Sequence, residues 1–167
     1  TSEEVIYQFP RIIPGTYAIA DYGRYIANLK ATDDNGNELS VKRKDVNTFV
    51  IYNAEHLHSI TYLVNDTYDS EKGNAFDSKS KTIFSPAGTN ILAEKNFMLN
   101  MCGFVGYFSG YKDIPYQISI EHPENLLASS ALTDEDAGNT IDRFNIERYA
   151  EVVDNPIMYS EPDTASF

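Results

Sequence analysis

Residues 24–41 contain the pattern that decides the fold class, RYIANLKATDDNGNELSV. In residues 24–31, apolar side chains alternate with polar ones and fall on one face of an extended chain, at Tyr25, Ala27, Leu29 and Ala31. The dipeptide Asn35-Gly36 follows, and it is typical of a hairpin turn because both central residues take positive φ. Apolar residues resume at Leu39, so the stretch predicts a half-buried strand, a tight turn and a return strand.

Further strand patterns are spread along the chain. Residues 47–53 and 59–68 are rich in β-branched and aromatic side chains, and the short polar connection between them predicts a second hairpin. Residues 116–121 alternate apolar and polar side chains, and residues 142–146 form another candidate strand. Residues 69–83 are polar and rich in serine and lysine, which predicts a long surface loop.

A helix is predicted at one place, residues 146–154. Asn145 can cap its first turn, and Pro156 ends it shortly after its last residue. One face of this helix is apolar, through Ile146, Tyr149, Ala150 and Val153. Many short strands, frequent turns and one late helix predict a mainly β fold, an antiparallel β-sandwich with one short C-terminal helix.

The composition excludes several classes of protein. Among 167 residues, 25 Asp and Glu oppose 13 Lys and Arg, and the net charge of −12 argues against nucleic acid or an anionic membrane as partner. The longest uncharged run, residues 96–111, contains three glycines and is too short to cross a bilayer, so membrane insertion is not expected. Cys102 has no second cysteine to pair with, and its apolar surroundings predict a buried, unreactive thiol.

The three histidines are the first candidates for metal chemistry, and none stands in a His-Glu-x-x-His motif. The zinc site of that motif is therefore absent from this sequence. His56 and His58 lie two residues apart, a spacing that places both imidazoles on one face of a strand, where they could bind a metal. The alternative is a polar hairpin end, and both interpretations stay open because no third ligand is identifiable.

Residues 102–111 combine three glycines with four aromatic side chains. Neither Gly-Lys-Ser/Thr nor a helix start follows the glycines, so a phosphate-binding loop is excluded. The glycines could permit tight bends where another backbone approaches closely. Alternatively, the aromatic side chains could form a platform for a partner or ligand: Phe104, Tyr107, Phe108 and Tyr111. No nucleophile, acid–base pair or complete metal-ligand set is identifiable, so we predict no catalytic residue and no metal site in this chain.

Residues 9–26, FPRIIPGTYAIADYGRYI, form the most specific segment. They predict a strand end, a Pro-Gly turn and re-entry into a second strand. The segment resembles the N-terminal domain of the glycyl aminopeptidase-type zinc metallopeptidases, which has a Pro-Gly-Ser-Tyr turn followed by an Arg-Asp-Tyr-x-Arg-like stretch. Six residues match that pattern: Pro14, Gly15, Tyr17, Asp21, Tyr22 and Arg24. Residues 47–49, 106–108 and 149–157 also resemble the family, in the same order.

The resemblance implies an architecture and a function. These bacterial gluzincins have an N-terminal β domain, a thermolysin-like catalytic domain and usually a PDZ domain near the C-terminus. The chain is then expected to be a non-catalytic domain that packs on the catalytic domain of the same chain and forms one side of its substrate cleft. Zinc and the peptide substrate would belong to that catalytic domain, which lies outside this sequence. A periplasmic, cell-surface or secreted bacterial location follows from the same resemblance.

Residues 1–155 are accordingly expected to form the N-terminal β-sandwich domain, and residues 156–167 an exit segment towards the catalytic domain. The chain starts at Thr1 and ends at Phe167, which is typical of a piece of a longer protein. The residues expected at the domain interface or cleft are Pro14, Gly15, Tyr17, Asp21, Tyr22, Arg24, Phe104, Tyr107 and Phe108. An alternative of a different class is a stand-alone secreted β-sandwich module that binds carbohydrate or peptide, which the tyrosine content and the acidity would suit.

Overall fold

The computed structural model describes residues 3–68, 83–136, 138 and 140–163. Its strands are β1 (Glu4–Gln8), β2 (Ile26–Asp33), β3 (Glu38–Leu39), β4 (Val41–Arg43), β5 (Thr48–Tyr52), β6 (Leu57–Val64), β7 (Asn90–Leu92), β8 (Asn96–Leu99), β9 (Tyr107–Phe108), β10 (Tyr116–Glu121), β11 (Leu127–Ser129), β12 (Ile141–Ile146) and β13 (Ile157–Ser160). One α-helix, α1 (Tyr149–Asp154), lies within the described residues, together with 3-10 turns at Tyr22–Tyr25, Ala54–His56, Ser85–Ala87 and Met101–Gly103.

The strands form four antiparallel sheets that enclose two hydrophobic cores. Sheets β4-β5-β1-β9 and β3-β2-β6 enclose the first core, in which Phe9, Tyr22 and Ile51 are buried. Sheets β10-β12 and β11-β13-β8-β7 enclose the second core with α1, and Phe144 and Tyr159 are buried there. The predicted mainly β class, a sandwich with one short helix towards the C-terminus, is confirmed.

Asp33 organises the predicted turn at Asn35-Gly36. Its carboxylate accepts hydrogen bonds from the backbone N–H groups of Asn35 and Asn37 at 2.9 and 2.8 Å, and from the Asn37 side-chain amide at 3.0 Å. The hairpin between β2 and β3 is confirmed, but of its two central residues only Gly36 has positive φ, +81°. The turn is therefore longer than a two-residue hairpin loop, because the backbone N–H of Asp33 donates to the Asn37 carbonyl oxygen and leaves residues 34–36 between them.

The hydrogen bonds from Asn37 and Asn35 lower the pKa of Asp33 below its ordinary value of 3.8. Since the folded pKa lies below the unfolded one, the ionised carboxylate stabilises the fold above about pH 4, and this stabilisation is lost as pH falls through the folded pKa. We expect Asp33→Asn to be less stable than the wild type at pH 7 and to match it near pH 2. Urea unfolding followed by circular dichroism across this range measures the difference. A difference that stays constant from pH 7 to pH 2 would contradict the prediction.

The predicted hairpin between residues 47–53 and 59–68 is wrong. Strand β5 pairs with β1 and β4, whereas β6 pairs with β2 in another sheet. The 3-10 turn Ala54–His56, entered through Asn53 at φ +55°, carries the chain from one sheet to the other. A run of β-branched residues predicts a strand. It does not predict which other strand pairs with it, because that depends on packing against segments distant in the sequence.

Two other boundaries differ from the prediction. A bulge at Asn28, with φ +55°, shifts the register of β2, so that Ile26 and Ala31 are both buried and the predicted alternation is interrupted. The helix begins at Tyr149 rather than Ile146, because residues 141–146 remain paired with β10 and Arg148 is extended. The predicted loop at residues 69–83 lies outside the described residues except for Ile83, which is buried.

Strand β13 lies within the segment expected to lead out of the domain. Ile157 and Tyr159 are fully buried, and β13 pairs with β8 and β11. The packed part of the described chain therefore extends at least to Ser160, while the boundary between domains stays a prediction. Within the described residues, no helix has both the length and the apolar character needed to cross a bilayer.

Candidate functional site

Residues 9–21 form a bend between β1 and the 3-10 turn Tyr22–Tyr25. The backbone N–H groups of Ala20 and Asp21 both donate to the carbonyl oxygen of Arg11 at 2.9 Å, which closes the base of the bend. Phe9, Ile13 and Ala20 are buried at this base, whereas Ile12 and Ile19 are exposed. The bend therefore presents apolar side chains to its surface although its base is fixed to the first core.

Tyr17 stands at the tip of the bend and is 87% exposed. Its φ is +55°, and Gly15 before it has φ +85°. The buried Thr16 hydroxyl donates to the Ile13 carbonyl oxygen at 3.0 Å and so holds the backbone between them. A left-handed conformation costs a non-glycine residue about 1–3 kcal/mol. An aromatic side chain is thus held in a strained conformation and turned away from the core.

The other predicted residues of this part of the chain lie at the base of the bend or in the 3-10 turn that follows it. The Asp21 carboxylate accepts a hydrogen bond from the Asn47 side-chain amide at 2.8 Å and lies 3.9 Å from the Arg11 guanidinium. Tyr22 is 1% exposed, and its hydroxyl donates to the Ala87 carbonyl oxygen at 2.9 Å. The Arg24 guanidinium lies 4.8 Å from the centre of the Tyr25 ring. Pro14, Gly15 and Tyr17 are therefore the accessible part of the predicted set, and Tyr22 supports them from the core.

The segment containing Phe104, Tyr107 and Phe108 joins the two cores. Phe108 packs against the first core, whereas Phe104 and Tyr107 pack against the second. All three are half-buried, and of the four aromatic residues considered for a platform only Tyr111 is exposed. The side chains are thus divided between two cores and do not form one open aromatic surface.

Oriented hydrogen bonds fix this segment to β1 and β6. The Tyr62 hydroxyl donates to the Phe104 carbonyl oxygen at 2.6 Å, so it accepts from the Tyr7 hydroxyl 3.0 Å away. The Tyr7 oxygen in turn accepts from the backbone N–H of Gly106 at 3.0 Å. A Cβ on Gly106 would lie 2.7 Å from the Gln8 carbonyl oxygen, so this glycine permits the close backbone approach that one of the two interpretations predicts.

A groove of about 350 Å³ lies between the bend and α1. Residues 10–14 form one side, Ala150 and Val153 of α1 form part of the other, and Tyr107 also lines it. The Lys112 ammonium lies 4.2 Å from the centre of the Tyr107 ring, and Asp113 and Asp154 add carboxylates to the lining. None of the lining residues is His, Cys or Ser, so the groove suits binding of a chain segment better than covalent chemistry.

The groove brings together two segments that the sequence analysis singled out separately, the bend and Tyr107. Sequence reasoning missed the contributions of Lys112, Ala150 and Val153. The apolar stripe on the predicted helix was a signal for Ala150 and Val153, but it does not reveal what the stripe faces.

His56 and His58 both face Asp34. Their Nδ1 atoms lie 3.6 and 3.5 Å from different oxygens of its carboxylate. Within the described ranges, no three His, Cys, Asp or Glu side chains are placed so that they could hold a metal ion. Both side chains are exposed and lie beside the turn that follows β2, not at the end of a hairpin of β5 and β6, because those strands belong to different sheets.

Cys102 is fully buried, and burial raises the pKa of its thiol to about 11. The predicted burial is confirmed. Because the thiolate is the reactive form, a thiol with this pKa is almost entirely protonated at neutral pH.

A buried polar cluster in the second core was not predicted. The Tyr159 hydroxyl donates to Asp142 at 2.5 Å, and His122 Nε2 lies 3.3 Å from the same carboxylate oxygen. The His122 and Tyr159 rings are 4.7 Å apart, and the Nδ1 of His122 is 3.0 Å from the Pro123 carbonyl oxygen. His122 Nε2 has no aligned hydrogen bond, so its approach to Asp142 is a close contact without hydrogen-bond geometry.

Comparisons with known proteins agree with this architecture. The chain has the fold of part of a solved aminopeptidase N family protein from Idiomarina loihiensis, with a TM-score of 0.78, 19% sequence identity and 96% of this chain covered. It spans 25% of the length of that protein. No curated protein matches the chain. The sequence model of the Peptidase M61 N-terminal domain matches residues 1–161. The predicted resemblance to a peptidase N-terminal domain is therefore confirmed, and the chain belongs to the Peptidase M61 N-terminal domain family.

Proposed function

We propose that this chain is the non-catalytic N-terminal β domain of a glycyl aminopeptidase-type zinc metallopeptidase. In this proposal it packs on the catalytic domain of the same polypeptide and shapes the substrate cleft through its bend. The observation that supports the contact most strongly is Tyr17, an exposed aromatic residue held at φ +55°. The family match over residues 1–161 supports a peptidase domain over a stand-alone carbohydrate- or peptide-binding module.

The surface chemistry of the bend supports a contact role. Ile12, Tyr17 and Ile19 are exposed apolar side chains on one short segment that the backbone bonds to Arg11 hold in place. Apolar clusters at a protein surface are typical of contact sites. A preformed tip loses little conformational entropy when it binds, which offsets the cost of its strained backbone. The adjacent groove would accept an extended segment of the catalytic domain or of a peptide.

The chemistry of peptide hydrolysis would belong to the catalytic domain. There, a bound zinc ion would activate a water molecule for attack on the peptide bond. The described part of this chain offers no set of three metal ligands, so its contribution would be to binding and orientation. A periplasmic or cell-surface bacterial location, and a PDZ domain later in the same protein, are further parts of the proposal.

The coding sequence after residue 167 tests the identity of the parent protein. We expect a His-Glu-x-x-His motif within the next few hundred residues, since this motif places two zinc ligands and a general base on one helix. A stop codon directly after the domain, or a series of adhesin-like repeats, would contradict the peptidase proposal and favour the binding module.

Kinetics of the complete enzyme test the role of the bend. We expect Tyr17→Ser to raise KM for aminoacyl and peptide substrates about 5–30-fold, the effect of losing an aromatic contact worth about 1–2 kcal/mol. The matched control is Leu63→Ser, a change of an exposed apolar residue on β6, which should leave KM within about twofold. An unchanged KM and kcat in Tyr17→Ser would exclude the bend from the cleft.

A further inference from the structure

The outer face of sheet β11-β13-β8-β7 carries no charged side chain. Ile157 and Tyr159 of β13 are fully buried, so Met158 and Ser160 between and after them point outward. In the register of the sheet, Met158 lies beside Met98 and Ser129, on neighbouring strands. These residues therefore belong to one continuous surface, which we call the uncharged face.

The uncharged face comprises eight outward positions, and none of them is charged. Four are Leu92, Met98, Leu127 and Met158, and the other four are Asn or Ser. Leu127 and Met158 are 50% and 42% exposed.

Its surroundings are strongly charged. Residues 113–163 contain 12 acidic and two basic residues. Exposed positions of the neighbouring sheet β10-β12 include Glu121 and Arg143. Four of the eight outward positions lie in this acidic part of the chain, and all eight lack charge. An uncharged face that is half apolar is typical of a contact surface.

We infer that the uncharged face is covered by the next domain of the same polypeptide. This inference rests on the proposed function only in requiring that a domain follows. Strand β13 is the last strand described, and it lies in the middle of the face. A domain that follows is therefore joined to the chain only a few residues after a strand of this surface. The solved structure that shares the fold is about four times as long as this chain, which spans 25% of it.

The size of the face favours a tethered domain over a second copy of the chain. Four strands about 4.8 Å apart and about four residues long offer roughly 200 Å² of flat surface. A stable dimer buries about 800 Å² on each partner. A domain joined covalently needs less, because the connection keeps its effective concentration high. The methionines suit such a contact because their flexible side chains adapt to the shape of a partner.

Cysteine labelling of the complete protein tests this inference. Met158→Cys and Leu127→Cys report on the uncharged face, Tyr17→Cys reports on the bend, and Leu63→Cys serves as an exposed control on β6. Labelling is measured at each position by peptide mass spectrometry, because Cys102 is buried in the folded protein but reacts in urea. For each variant, the rate of N-ethylmaleimide labelling in the folded protein is divided by the rate in urea. We expect labelling at positions 158 and 127 to be slowed at least tenfold relative to position 63.

The outcomes separate this inference from the proposed function. Labelling at positions 158 and 127 within about twofold of position 63 would overturn the inference, whatever happens at position 17. Slowed labelling at position 17 alone would support the bend contact and refute the covered face. Protection of positions 158 and 127 that disappears on dilution would show a second copy on the face and also overturn the inference.

Discussion

Replacing Tyr22 by alanine is expected to lower the free energy of unfolding by about 3–5 kcal/mol, the range for removing a buried aromatic side chain. Tyr22 is 1% exposed and lies at the base of the bend, where a Cβ on Gly103 would come within 3.3 Å of its ring. Its loss would leave a cavity between the bend and the 3-10 turn Met101–Gly103, and would leave the Ala87 carbonyl without the hydroxyl donor. Chemical unfolding followed by circular dichroism measures the effect, since the chain has no tryptophan.

Two variants separate packing from hydrogen bonding at this position. Tyr22→Phe keeps the ring and loses only the hydroxyl, so we expect a loss of about 1–3 kcal/mol. Tyr17→Ala removes a tyrosine from the same bend, but one that is 87% exposed, and should cost less than about 0.5 kcal/mol. A loss in Tyr22→Ala no larger than that in Tyr17→Ala would contradict the placement of Tyr22 in the core.

Replacing Asp142 by alanine is expected to cost about 3–5 kcal/mol, because two buried polar partners would lose their contact and each unsatisfied buried group costs about 1–3 kcal/mol. Asp142 accepts the hydrogen bond from Tyr159 and lies 3.3 Å from His122 Nε2. Both partners are buried and would lose this carboxylate. Desolvation of both side chains is a cost of folding that their contacts with Asp142 offset, so this cost would then count fully against the folded state.

Asp142→Asn is the matched control for this cluster. It keeps the size of the side chain and an oxygen for the Tyr159 hydroxyl but removes the negative charge near His122. We expect it to lose about 1–2 kcal/mol, clearly less than the alanine variant. Equal losses in the two variants would indicate that the volume of the side chain, and not its interactions, stabilises the second core.

Alternation of apolar and polar residues and the turn residues predicted the strands and turns that depend on residues adjacent in the sequence. Strand β10 has the predicted bounds at Tyr116–Glu121, and the turn at Gly36 joins two antiparallel strands as expected. Pairings between distant segments were not predictable in the same way. Strand β5 lies between β1 and β4, and no local feature of residues 48–52 identifies those partners. The bulge at Asn28 likewise depends on the register of β6.

In the candidate site, too, features set by neighbouring residues were predictable, whereas contacts between distant segments were not. The Pro-Gly turn and Tyr17 were identifiable because the turn chemistry and the family pattern are contiguous in the sequence. The groove joins residues 10–14 to Lys112 and α1, which are about 100 and about 140 residues later and meet the bend only in the folded chain. The cluster of His122, Asp142 and Tyr159 is spread over 38 residues, so no motif search would join its members.

The central position of β1 has a consequence for synthesis of the protein. β1 pairs with β5 and, through Tyr7 and Gln8, with Phe108 and Tyr107 of β9. A ribosome adds about 5–20 residues per second, so about 5–20 s pass between the emergence of β1 and that of β9. During this interval one edge of β1 has no partner, although the strand and its aromatic residues have already left the exit tunnel. An unpaired strand edge is a template for pairing with another chain, so this edge is open to non-native pairing during that interval.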